Sequence, residues 1–169
     1  MAAARLLFFL LASTAALAAE PWEAFFDPFL GDLRSELAEA KAAKKTGLLI
    51  MYHFEECPYC ARMKREVLSR PEVQSAFHRD YVVIALDTRG SQSVTGLDGK
   101  ALPENQLARE LGVQATPTFD FYGLDGAQLY RHVGGIFDAD EFLLLGRYVA
   151  SGEHRSLTFA EFKQKYKGS

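Results

Sequence analysis

Two cysteines are present, three positions apart in Cys57-Pro58-Tyr59-Cys60. Disulfide stabilisation grows with the length of chain enclosed, so a bridge between partners this close staples almost nothing. The pair therefore reads as reactive rather than structural. Pro58 suits a first helical turn, where its missing N–H would have had no partner in any case. Cys57 then stands at a helix N-terminus, with Cys60 one turn inside. Free N–H groups and aligned peptide dipoles favour a negative sulfur at that end, by about 0.3–1 kcal/mol and more where partly buried. Because the thiolate and not the thiol attacks disulfides, Cys57 is assigned as the exposed attacking sulfur that forms a mixed disulfide. Cys60 is the thiol that resolves it.

Two other readings of the pair stay open. A zinc site needs two further ligands, and His53, His78, His132 and His154 offer no closely spaced pair. An inert disulfide or two buried thiols is the other, although a proline and a tyrosine between the sulfurs argue against it. Among the neighbours, Glu55 and Glu56 disfavour a thiolate, while Arg62, Lys64 and Arg65 favour one. Glu56 is a candidate for tuning the sulfur. His53 is either a packed strand residue or an acid-base group whose ordinary range permits proton exchange. Tyr59 is placed to touch substrate.

The elements that must position these residues follow from periodicity. Phe29 to Lys45 predicts an amphipathic helix on Leu30, Leu33, Leu37, Ala40 and Lys44, ended by Gly47 and covering one face of a sheet. Leu48 to Phe54 is continuously apolar, as a central strand buried on both faces requires. The helix from Pro58 runs to about Ser69, a short helical piece spans Pro71 to Phe77, and Tyr81 to Leu86 is the next strand, completing a β-α-β unit. Thr88 to Leu102 is rich in Gly, Ser and Asp and predicts a loop insertion with a small hairpin around Asp98-Gly99. A helix at Pro103–Leu111 precedes two antiparallel strands, Thr118–Tyr122 and Gln128–Val133, joined by Gly123-Leu124-Asp125-Gly126. Asp138–Val149 and a surface helix at Phe159–Tyr166 close the chain.

Residues 1–18 carry one charge, Arg5, then an apolar run and small residues ending Ala16-Leu17-Ala18, the pattern of a secretory signal cleaved after Ala18 or Ala19. The uncharged stretch from Leu6 to Ala19 has 14 residues, short of the roughly 20 that span a bilayer. Residues 19–169 then form one domain, its core at about 29–152. An exported protein lies where disulfides persist unless something reduces them. The net charge of −3, with both signs scattered, gives no support for nucleic-acid binding.

These residues resemble the thioredoxin superfamily: a strand, Cys-Pro-Tyr-Cys at a helix start, then Ala115-Thr116-Pro117-Thr118-Phe119, a hairpin and a last helix. The resemblance implies an α/β fold with a central mixed sheet flanked by helices, a cis Pro117 beside the dithiol, and Thr116 offering backbone hydrogen bonds to an extended substrate. The run Cys57 to Lys64 together with Leu145-Gly146-Arg147-Tyr148-Val149 is similar to exported thioredoxin-like proteins of the SoxW type. Two departures from ordinary thioredoxin matter. Met51 stands six before Cys57 where that branch has a buried Asp that assists proton transfer, and Glu56 replaces a Trp, which leaves the proton acceptor for Cys60 unidentified. Glutaredoxins share Cys-Pro-Tyr-Cys, and His132-Val133-Gly134-Gly135 resembles their glutathione-binding turn.

The expectation is a periplasmic thiol-disulfide oxidoreductase that reduces protein disulfides through Cys57 and Cys60, with Pro58, Tyr59, Thr116 and Pro117 in support. It needs no metal and no cofactor beyond its own dithiol, acts as a monomer, and is re-reduced by a membrane electron donor. An oxidase or isomerase, or a glutaredoxin-like enzyme, would use the same pair. A non-enzymatic alternative is a binding module holding Cu(I) on the cysteines with Met63 and His53 as helpers.

Overall fold

The computed structural model describes residues 20–167, so the expected signal segment lies outside the described residues. Helices α1 (Leu33–Ala42), α2 (Pro58–Met63), α3 (Pro71–Asp80), α4 (Glu104–Glu110), α5 (Ala139–Ala150) and α6 (Phe159–Lys167) surround a four-stranded sheet. Its strands β1 (Gly47–His53), β2 (Tyr81–Asp87), β5 (Thr118–Gly123) and β6 (Gln128–Val133) lie in the order β2-β1-β5-β6. β1 runs parallel to β2 and antiparallel to β5, which pairs antiparallel with β6. A separate hairpin, β3 (Ser93–Thr95) and β4 (Ala101–Pro103), is the expected insertion.

Side chains alternate across each strand, and the sheet divides two cores accordingly. Leu49 and Met51 of β1, Tyr81 and Val83 of β2, and Phe119 and Phe121 of β5 meet α2, α3, α5 and α6 on one face. Leu48, Ile50, Tyr52, Val82, Ile84 and Leu86 meet α1, α4 and the hairpin on the other. The first core is mostly aromatic: Phe77 stacks on Phe142 with centroids 4.6 Å apart, and Phe119 and Phe25 pack against them at 5.2 and 5.4 Å. Gly146 allows α5 to come this close, since a Cβ there would sit 2.9 Å from the Phe77 ring. Phe25, from a 3₁₀ turn at Pro21–Phe25, and Phe162 of α6 join this core, so segments flanking the expected core contribute to it and α6 is more than a surface helix.

The first helix differs from expectation at both ends. It begins at Leu33 because Asp32 caps it, accepting from the Arg34 N–H at 2.9 Å. Leu30, predicted to be a core position, is 96% exposed. The helix closes by a Schellman arrangement in which Lys44 takes the left-handed conformation (φ 57°), its N–H bonding Lys41 and the Lys45 N–H bonding Ala40. Gly47 is therefore not the helix stop. It opens β1 opposite Gly123, where a Cβ would collide with the Tyr122 carbonyl. The backbones approach too closely there for any side chain.

One ion pair is buried in the sheet. Asp120 of β5, 0% exposed, takes two hydrogen bonds of 2.6 Å from Arg131 of β6, and the same guanidinium donates to the Leu111 carbonyl at 2.9 Å. This ties the turn after α4 to the sheet. Losing one member of such a pair strands the other. Asp120→Ala is expected to cost about 3 kcal/mol in urea unfolding, and Asp120→Leu with Arg131→Leu to cost less than that single change, because no charge is then left without its partner.

Candidate functional site

β1 ends at His53, and four residues later Cys57 caps α2. Cys57 is extended (φ −74°, ψ 110°), its carbonyl starts the helix by accepting from Ala61 at 3.0 Å, and its Sγ accepts from the Cys60 N–H at 3.2 Å. The sulfur thus occupies the place a Ser or Asp oxygen usually takes at an N-cap. Pro58 is the first helical residue, as its fixed φ favours. The two cysteines are joined in a disulfide, with Cα atoms 5.2 Å apart. The helix continues as a π-helical turn, Lys64–Leu68, that reaches Ser69.

The second wall comes from the other neighbour of β1. Antiparallel pairing sets Thr118 opposite Tyr52, so the residues entering β5 arrive beside the loop that leaves β1. The Thr116–Pro117 peptide is cis, and Pro117 is buried. Thr116 Oγ1 donates to Cys57 Sγ at 3.2 Å, and the Thr116 carbonyl oxygen lies 3.7 Å from the same sulfur. The Pro117 carbonyl accepts from the Gly134 N–H at 2.8 Å, which holds the Gly134-Gly135 turn against this wall. Gly134 has φ 103° and open space around it, so conformation selects it, whereas a Cβ at Gly135 would strike the Phe137 ring.

The sequence-predicted residues therefore fall into three places. Cys57, Cys60, Pro58, Tyr59, Thr116 and Pro117 converge on one spot. Glu56 lies on one flank, ion-paired to Arg89 at 3.0 Å, and the Arg89 guanidinium stacks 3.8 Å above Phe54. Both partners are largely exposed, so this negative charge is offset locally and weakly felt. His53 lies further along that side, in a cleft of about 670 Å³ that Phe54, Cys60, Lys64, Asp87 and Trp22 also line. Burial pushes its imidazole below the ordinary value and the Lys64 ammonium adds to this, against Asp87 and the Phe54 backbone.

Accessibility corrects one expectation: Cys57 is only 2% exposed, whereas Tyr59 is 60% exposed. The attacking sulfur was expected in the open and instead lies under the Thr116–Pro117 edge, because an N-cap side chain turns back over its own first turn. Phe137 and Arg89 were missed. Phe137 stacks on Tyr59 with centroids 6.2 Å apart and carries the Arg62 guanidinium 4.0 Å from its ring. No spacing signal links Phe137 to the dithiol, and Arg89 reads as part of a loop. Met51 is buried in the core that also holds both cysteines, so the strand offers no carboxylate at that place. Among the described residues no group of three His, Cys, Asp or Glu is placed to share a metal ion, and no helix is long and apolar enough to cross a membrane.

A family model described as a thioredoxin-like domain matches residues 33–150. The chain belongs to this thioredoxin-like family. Among solved structures, a thioredoxin from Thermus thermophilus is 30% identical, with 73% of this chain and 92% of that one covered and a TM-score of 0.53. A putative disulphide-isomerase from Bacteroides thetaiotaomicron is 25% identical over 79% of this chain and 94% of that one, with a TM-score of 0.57. A thioredoxin-fold protein from Helicobacter pylori, at 18% identity, superposes with a TM-score of 0.65 over 87% of this chain and 90% of that one, a likeness of fold alone. No curated protein matches the chain in sequence. The match leaves the Thr116 hydroxyl on a thioredoxin-like sulfur as a feature to test. Thr116→Val removes that donor, worth about 1 kcal/mol. Alkylation of Cys57 in the reduced protein at pH 7 is expected to slow about two- to threefold, the lost thiolate being partly offset by the higher nucleophilicity of a more basic sulfur.

Proposed function

We propose that this protein is an exported thiol-disulfide oxidoreductase that reduces disulfides in other proteins through Cys57 and Cys60. The observation that carries the reading is that two donors, the Cys60 N–H and the Thr116 hydroxyl, both point at Cys57 Sγ. Negative charge is thereby favoured on Cys57 over Cys60. In the reducing direction the Cys57 thiolate attacks a client disulfide, forming a mixed disulfide and expelling one client thiolate. Cys60 then attacks Cys57 Sγ, the second client thiolate leaves, and the enzyme holds the internal disulfide. Two electrons have passed to the client. Thr116, Pro117, Pro58 and Tyr59 frame the approach.

No resident cofactor or metal enters this scheme, and the dithiol is its own electron carrier. The secretory pattern at residues 1–18 supports a periplasmic location, where re-reduction calls for a membrane electron donor. The likeness of Cys57 to Lys64 and Leu145 to Val149 to SoxW-type proteins supports the reducing direction. Protein disulfides are the substrates, with no role for nucleic acid and the single domain acting as a monomer.

A second reading, disulfide isomerisation, is favoured by the 25% identity to the putative disulphide-isomerase. Reduction potential separates the two, with 30 mV corresponding to about 1.4 kcal/mol for this two-electron couple. The purified protein is expected to accelerate insulin reduction by dithiothreitol, and Cys57→Ser to abolish it. Cys60→Ala is expected to accumulate mixed disulfides on Cys57 in the native compartment. An inactive wild type and an empty trap would sink the assignment.

A further inference from the structure

Resolution of the mixed disulfide needs a place for the Cys60 proton. Cys60 begins that step as a thiol inside the helix and must become a thiolate to attack. The strand position that would present a carboxylate holds Met51, fully buried. What faces Cys60 instead is the cleft on the far side from Thr116. Its polar groups come from four elements: His53 from the end of β1, Asp87 from the end of β2, Lys64 and Arg65 from the π-helical turn, and Glu20 from the N-terminal segment, with Glu55 on the loop between.

We propose that His53 is the proton acceptor for Cys60, exchanging the proton through the cleft that the two residues share. The inference rests on the dithiol exchange proposed above. Three observations carry it. His53 and Asp87 are directly opposed in the parallel β1–β2 register, so the imidazole is set beside a carboxylate by strand pairing rather than by a loop. The backbone of His53 is held by Thr88, whose N–H and hydroxyl both bond its carbonyl at 2.7 and 3.2 Å. Finally, His53 Nδ1 is buried without a hydrogen-bond partner, in a protein whose buried polar atoms are otherwise mostly paired. Phe54 touches the ring only through its backbone, and no hydrogen bond of good geometry has to break before Nδ1 takes a proton.

Electrostatics around the cleft suit the task. His53 is held neutral at pH 7 by burial and by Lys64, whose own ammonium is pushed down by burial and supported by Asp87, Glu23 and Glu55. The Lys64 ammonium stacks 4.1 Å above Trp22 at the wall of the cleft. In the resolving step the Cys60 S–H bond breaks and its proton goes to His53. The Cys60 sulfur bonds to Cys57 Sγ, the bond from Cys57 to the client sulfur breaks with its electron pair, and the client thiolate departs. The imidazolium returns its proton to that thiolate or to water, leaving His53 neutral. Lys64 stabilises the transient Cys60 thiolate and keeps His53 deprotonated, so it is a positioning charge and not a proton carrier.

The test uses the purified, fully reduced protein and dithionitrobenzoate, which reports the two steps as separate bursts of thionitrobenzoate. The first burst is attack by Cys57 and the second is resolution by Cys60. In His53→Gln the second burst is expected to slow about tenfold or more at pH 7 while the first keeps its rate. The pH profile of the second burst in the wild type should bend below the ordinary imidazole range, rising as His53 loses its proton, and His53→Gln should lose that bend. Lys64→Gln retains the imidazole and removes the charge that depresses it, so the bend should move to higher pH; a histidine that only packs would give no such movement. A second burst in His53→Gln with the wild-type rate and pH profile overturns the proposal and leaves the exchange reading intact. A wild type that shows neither burst faster than free cysteine overturns the exchange reading itself.

Discussion

β1 has a parallel neighbour on one side and an antiparallel neighbour on the other, and the site depends on that asymmetry. Parallel strands end together, so β1 and β2 deliver His53 and Asp87 to the same edge. An antiparallel strand begins where its partner ends, so β5 delivers Thr116 and Pro117 there as well. The helix leaving β1 then starts between the two groups. One sulfur is held by a hydroxyl from the β5 side, and the other opens toward the imidazole on the β2 side. Two chemically distinct environments for two identical side chains follow from strand order, without any long-range device.

The same geometry explains why the run of positive charge after Cys60 counts for less than its letters imply. Arg62 and Arg65 both bond Glu66, at 2.8 and 2.9 Å, and Arg62 also lies over Phe137. Exposed pairs of this kind contribute little and are screened by salt. Lys64 has no such partner at hand among the described residues and stacks over Trp22 in the cleft, where burial makes its charge felt. Pairing and burial, more than position along the helix, set these neighbours apart.

Much of this was legible in the sequence. The continuous apolar run of β1, the β-α-β unit, the hairpin around Asp98-Gly99 and the position of Cys57 at a helix start follow from periodicity, proline chemistry and turn residues, and the structure has them. What escaped were features set by tertiary approach. Gly47 looks like a helix stop until β5 is laid beside it, and Lys44 performs that role in a conformation that a lysine letter does not announce. Phe137, Arg89 and Trp22 reach the site through space from distant segments, and periodicity carries no information about such encounters. The burial of Cys57 was missed for a related reason, because a cap side chain folds back on its helix.

The hairpin inserted after β2 has a divided character. Its root, Thr88 and Arg89, bonds the His53 carbonyl and pairs with Glu56 at the rim of the dithiol. Its body crosses to the opposite layer, where Thr95 bonds the Gly31 carbonyl at 2.8 Å and Val94 enters the core beneath α1. Asp98, Gly99 and Lys100 at the tip are exposed. Lengthening or relabelling that tip, a tolerant kind of position, would alter the layer away from the two cysteines and leave the strand ends that hold them in place. The fold thus carries a ready attachment point for a reporter or an added recognition loop.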